Sequence, residues 1–146
     1  MDNEELFLML EKCVEHASNQ LISGQSLESF AMVLEPTNKT RHITIDEKDG
    51  EARYEALLEL LRLEAEAETI TAMALLSNVT IPDSFKAAVS SGIRIHIEEK
   101  HFQADNKLSA RLLYVPYQLF KTKDDPTIQI QLHDPIPVGL ACEIFK

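Results

Sequence analysis

Glycine is scarce and scattered in this chain: only four occur, Gly24, Gly50, Gly92 and Gly139, none beside another. A loop that cradles a nucleotide needs clustered glycines so that backbone N–H groups can close on phosphate. The glycine-rich dinucleotide motif and the phosphate-binding loop are therefore excluded. The His-Glu-x-x-His zinc motif and the Gly-x-Ser-x-Gly nucleophile elbow are missing too. Cysteine is equally sparse, with Cys13 and Cys142 near opposite ends and no Cys-x-x-Cys spacing. That excludes a disulfide framework and predicts two free thiols in a reducing compartment. No apolar run approaches the ~20 residues of a membrane helix. The opening Met1-Asp2-Asn3-Glu4-Glu5 is the reverse of the basic start that a signal peptide needs, which predicts a cytoplasmic protein.

Basic residues are also short: 14 Lys and Arg face 24 Asp and Glu, a formal net charge of −10. The imbalance is local. Residues 1–73 hold 16 acidic and 6 basic side chains, whereas residues 74–146 hold 8 of each. Such a surface repels phosphate backbones, so nucleic acid and anionic membrane are excluded as partners. Solubility accounts for part of this acidity. The sharper reading is a docking face for a basic protein, with Glu55 and Glu59 as candidate contacts.

At 146 residues the chain is sized for a single domain, 1–146, able to close a core without metal or disulfide help. Asp2 and Glu5 form a capping box, and the stripe Leu6, Leu10, Cys13, Val14, Ala17 and Leu21, widened by Phe7 and Met9, predicts a first helix. Ser23-Gly24 stops it. Phe30–Leu34 and Arg41–Ile45 predict a hairpin whose half-polar second strand lies at a sheet edge, with His42 and Thr44 on its wetter face. Asp49 caps a second helix with the stripe Tyr54, Leu57, Leu58, Leu61 and Ala65; Arg53 falls among the polar positions. Ile70–Leu76 is apolar on both sides, which places it in the middle of a sheet.

Past a connection through Pro82, Ile93-Arg94-Ile95-His96-Ile97-Glu98 alternates cleanly. The isoleucines are expected to face the core, and Arg94, His96 and Glu98 solvent. Ala110–Tyr117 and Ile128–Leu132 complete the strands, with Pro116 marking a bend, a bulge or an edge. The apolar tail from Pro135 is expected to pack back. The sum is an α+β fold: a mainly antiparallel sheet of about six strands with two main helices, in the order α-β-β-α-β-β-β-β. That order is similar to the roadblock/profilin-like group, an analogy of fold alone.

Chemistry could reside in His96-Ile97-Glu98-Glu99-Lys100-His101, where His96, Glu98 and His101 are candidate metal ligands. His96 and Glu98 share one face of a strand, and Glu99 and His101 the other, so they do not converge on one ion without a bulge. A structural zinc site takes about four ligands, and no cysteine lies near. The expectation is no metal and no cofactor. Tyr114, Tyr117 and Phe120 are spaced to cap the core or, through a kink at Pro116, to line a pocket.

The blocks Leu21-Ile22-Ser23-Gly24, Phe30-Ala31, Ala56-Leu57, Leu61-Arg62, Tyr114-Val115-Pro116-Tyr117 and Glu143-Ile144-Phe145 resemble, across nearly the whole length, a group of small bacterial proteins with no assigned activity. No catalytic or binding residue carries over. The resemblance implies a bacterial, cytoplasmic, compact protein. Together these features predict a non-catalytic protein-interaction module with an acidic helical face, self-association included. The alternative is a small enzyme or ligand-binding domain with a pocket near His96, Glu98 and Tyr114 or Tyr117.

Overall fold

Both helices are built by the stripes that the spacing predicts and are stopped by the same backbone device. The computed structural model describes residues 4–100, 110–140 and 143–145. Helix α1 spans Glu4–Ile22 and buries Leu6, Met9, Cys13, Ala17 and Leu21 at helical spacing. The expected cap, Asp2, lies outside the described residues. At the far end Gly24 turns left-handed (φ 84°), so that Gln25 N–H donates to Gln20 O at 3.3 Å and Gly24 N–H to Leu21 O at 3.2 Å. This is a Schellman stop, for which glycine is the least strained residue. Helix α2 spans Gly50–Glu66, and the Asp49 carboxylate accepts the Ala52 N–H at 2.9 Å.

Helix α2 closes with the same pair of bonds, Thr69 N–H to Glu64 O and Glu68 N–H to Ala65 O, both 3.1 Å. Here Glu68 occupies the left-handed position at φ 59°. A side chain there crowds the following carbonyl, a cost of roughly 1 kcal/mol or more. The Glu68 carboxylate gains little in return, standing 3.7 Å from the exposed Lys100 ammonium. Glu68→Gly is expected to raise unfolding free energy by about 0.5–1 kcal/mol, measured by urea titration, once glycine's greater unfolded-state freedom is deducted.

The strands are β1 (Phe30–Leu34), β2 (Thr40–Ile43), β3 (Ala72–Thr80), β4 (Ser91–Glu99), β5 (Ala110–Phe120), β6 (Gln129–Leu132) and β7 (Ile136–Leu140). They form one antiparallel sheet in the order β2-β1-β3-β4-β5-β6. The tail beyond Pro135 returns as β7 and pairs with Ala110–Tyr114 of β5, while β6 pairs with Tyr117–Phe120 of the same strand. Pro116 sits where β5 changes partner, so its missing N–H interrupts neither ladder; its carbonyl accepts the His133 N–H at 2.8 Å. The strand therefore runs on through the proline.

β2 is an edge, as its polarity predicts. Arg41 pins it to α2 through a two-pronged contact with Glu64 at 2.8 and 2.9 Å, and reaches Glu35 at 3.1 Å. His42 is exposed but stacks edge-on against His16 and Phe30, with ring centroids 4.4 and 5.0 Å away.

The dry strand lies where the sequence places it, shifted toward its C-terminal end. Ala72 through Ser77 are buried, whereas Ile70, also buried, precedes the strand. Its alternate side chains serve two cores. Ala72, Ala74 and Leu76 join the α1 stripe and Ile93, Ile95 and Ile97. Met73 and Leu75 join Leu57, Leu58 and Leu61 of α2, with Ile144 and Phe145 beside them. The helices thus cover opposite faces of one sheet. Cys13 lies wholly inside the first core, where burial pushes its thiol up to about 12, so it acts as a hydrophobe and not as a nucleophile. On the helices two side chains depart from expectation: Phe7 is 61% exposed although it extends the apolar stripe, and Arg53 is buried although it falls among polar positions.

Candidate functional site

The expectation that His96 and Glu98 face solvent is overturned. Alternation does place them opposite the isoleucines, but that second face carries α2 and residues 143–145, leaving His96 2% and Glu98 1% exposed. Glu98 Oε2 accepts the Glu143 N–H at 2.8 Å, and Oε1 accepts the Ile144 and Phe145 N–H groups at 3.0 Å each. His96 Nε2 stands 2.6 Å from Oε2. A carboxylate only accepts, so that imidazole nitrogen carries the proton and donates. Burial pushes the Glu98 carboxyl upward, but the His96 bond and the three N–H groups outweigh it and hold the carboxyl below the usual glutamate range. The group is an ionised clasp on residues 143–145.

The other candidates do not join it. His101 lies outside the described residues, and among those residues no group of three or more His, Cys, Asp or Glu stands close enough to hold a metal. Tyr114 and Tyr117 lie three apart on a continuous strand and so point to opposite faces. Tyr114 packs against Phe85 with ring centroids 5.2 Å apart. Tyr117 belongs to the α1-side core, and its hydroxyl donates to Asn78 Oδ1 at 2.8 Å. Glu55 and Glu59 are exposed on α2, and Glu59 is 3.8 Å from Arg62. Pro116 does not bring the tyrosines together.

Two of the concavities among the described residues bear on function, and neither is lined by any of these candidates. The first is an open apolar groove of about 590 Å³ between α1 and β6, lined by Phe7, Leu10, Val14, Ser18 and Leu132 with Glu11 and Glu15. It exists because α1 carries more apolar residues than its inner face can bury. Leu6, Met9 and Cys13 fill the core, while Leu10 and Val14 sit on the flank and Phe7 beyond them. The apolar excess around Phe7 was legible in the sequence; its exposure was not. Leu132, 41% exposed, reaches the groove only through the β5–β6 pairing.

The second concavity is smaller and polar, about 270 Å³, between the first turn of α2 and the β3–β4 pair. Lys48, Arg53, Arg94 and Ser77 are among its walls. Arg53 is held there by backbone carbonyls: its Nε donates to Ser29 O at 2.5 Å, and its Nη1 to Ile45 O and to Glu47 O. No family model, curated protein or solved structure matches this chain.

Proposed function

We propose that this chain is a protein-interaction module that seats a partner's amphipathic segment in the groove between α1 and β6. The observation that carries the reading is an apolar stripe of exposed Phe7 and Leu132 and half-buried Leu10 and Val14, edged by Glu11 and Glu15. A contiguous apolar patch with a polar rim is the form that docking sites take. Phe7 is 61% exposed, so covering it removes on the order of 100 Å² of apolar surface from water, enough to anchor a contact. The rim carries negative charge on the acidic half of the chain, so it favours a segment with lysine or arginine beside its apolar stripe. A second copy would bring two acidic rims together, which makes self-association the weaker occupant. No helix among the described residues is long and apolar enough to cross a membrane.

A synthetic helix of leucine and lysine with one apolar face is a suitable probe. Calorimetric titration is expected to show binding that weakens as salt rises through ~0.15 M, where charges more than about 8 Å apart are screened. Phe7→Asp is expected to weaken it about tenfold or more, equal to about 1.4 kcal/mol. The exposed pair Glu55→Gln and Glu59→Gln on the other face is expected to leave it nearly unchanged. Absence of binding, or indifference to Phe7→Asp, contradicts the proposal. A dimer that Phe7→Asp dissolves would assign the groove to self-association instead.

A further inference from the structure

The polar cavity beside α2 has a charge opposite to that of the protein. Three cationic side chains, Lys48, Arg53 and Arg94, line it, with Glu28 the one carboxylate among the lining residues. Glu28 is largely exposed and 3.8 Å from Arg53, so it neutralises only part of that charge. In a chain of net charge −10, a cationic cavity calls for a local cause. Arg53 has a structural one, because its guanidinium is committed to the carbonyls of Ser29, Ile45 and Glu47.

Ser77 has no such account, and Arg94 only a partial one, in the Tyr54 side chain beside it. They face each other across the β3–β4 register, on the α2 side of the sheet. Ser77 is 7% exposed, lines the cavity, and its hydroxyl has no partner. The buried Nε of Arg94 has none either, while its guanidinium lies 5.2 Å over the Tyr54 ring. Buried polar groups are nearly always paired, and an unpaired one in a native fold points to something that completes it. The α2 N-terminus is not that donor set, since Asp49 already caps it.

From this we infer that the cavity binds a small phosphate monoester or free phosphate. The Arg94 guanidinium and the Ser77 hydroxyl, which a small side-chain rotation opens to the cavity, donate to its oxygens, and Lys48 and Arg53 supply charge. A phosphate monoester carries close to two negative charges at neutral pH and accepts several hydrogen bonds, matching three cations set against one carboxylate. A cavity of about 270 Å³ admits a phosphate and a few further atoms, not a nucleic-acid strand. The inference is independent of the groove, which lies on the other side of the sheet.

Inorganic phosphate, glycerol phosphate and succinate, compared at matched ionic strength by calorimetry and thermal melting of the full chain, test it. Both phosphates are expected to bind and raise the melting temperature, and succinate to bind about tenfold more weakly, lacking the third oxygen and the tetrahedral shape. Tighter binding of glycerol phosphate than of phosphate would assign the monoester, and the reverse free phosphate. Ser77→Ala removes an unpaired hydroxyl, so without ligand it is expected to melt at or above the wild-type temperature, yet to bind phosphate several-fold more weakly. Arg94→Gln is expected to lose about tenfold or more. Phe7→Asp is expected to leave phosphate binding unchanged. Phosphate that stabilises no more than chloride, equal binding of succinate, or full affinity in both Ser77→Ala and Arg94→Gln would overturn the inference.

Discussion

Glu98→Ala is expected to lower unfolding free energy by about 3–5 kcal/mol, because it strands several buried hydrogen-bond donors at once. The size follows from what is stranded. Three consecutive backbone N–H groups, of Glu143, Ile144 and Phe145, and the buried His96 ring all give their hydrogen bonds to this one carboxylate. Each donor left dry costs on the order of 1–3 kcal/mol, though release of residues 143–145 to water recovers part of it. Urea titration measures the loss, and faster amide exchange at Ile144 and Phe145 would locate it.

Glu98→Gln is expected to recover only a portion, because its amide nitrogen turns donors toward donors. Acid acts as the same substitution. The folded carboxyl is held below the ordinary value near 4.3, so its contribution is complete above that pH and is lost as pH falls through the folded value. Residues 143–145 are expected to loosen in that window, with Ile144 and Phe145 exchange rising first.

The second large effect lies in β3. Leu75→Ala and Leu76→Ala are each expected to cost about 2–5 kcal/mol, because each empties a closed site on a different face. Leu75 packs in the α2 core and Leu76 in the α1 core, at 1% and 0% exposure. Leu119→Ala, at a site 43% exposed, is expected to stay within about 0.5 kcal/mol of wild type. A strand wet on one flank would make one of the two core substitutions cheap.

Local pattern carried most of the fold. Helix spacing marked α1 and α2, Asp49 and Gly24 marked an entry and an exit, and unbroken apolar character marked β3 as interior. What local pattern does not hold is which partner covers a face. His96 and Glu98 alternate with isoleucine as any solvent-facing pair would. Their cover comes from α2, earlier in the chain, and from residues 45 to 47 positions beyond Glu98, relations with no trace in a short window. Arg53 follows the same logic, since its carbonyl partners lie at Ser29, Ile45 and Glu47 and backbone oxygens leave no mark on composition. Phe7 is the mirror case: apolar spacing suggests burial, but α1 offers one inner face and it was already filled. The polar cavity was hidden for both reasons, because its donors come from α2, β3 and β4.

The proposed docking face is tested most directly by an NMR titration of the 15N-labelled chain with the basic amphipathic helix. The account predicts shift changes at Phe7, Leu10, Val14 and Leu132, and silence at Ile97, Glu98, Ile144 and the exposed glutamates of α2. Changes centred on Glu55 and Glu59, or on the His96–Glu98 clasp with the groove residues unmoved, would contradict it.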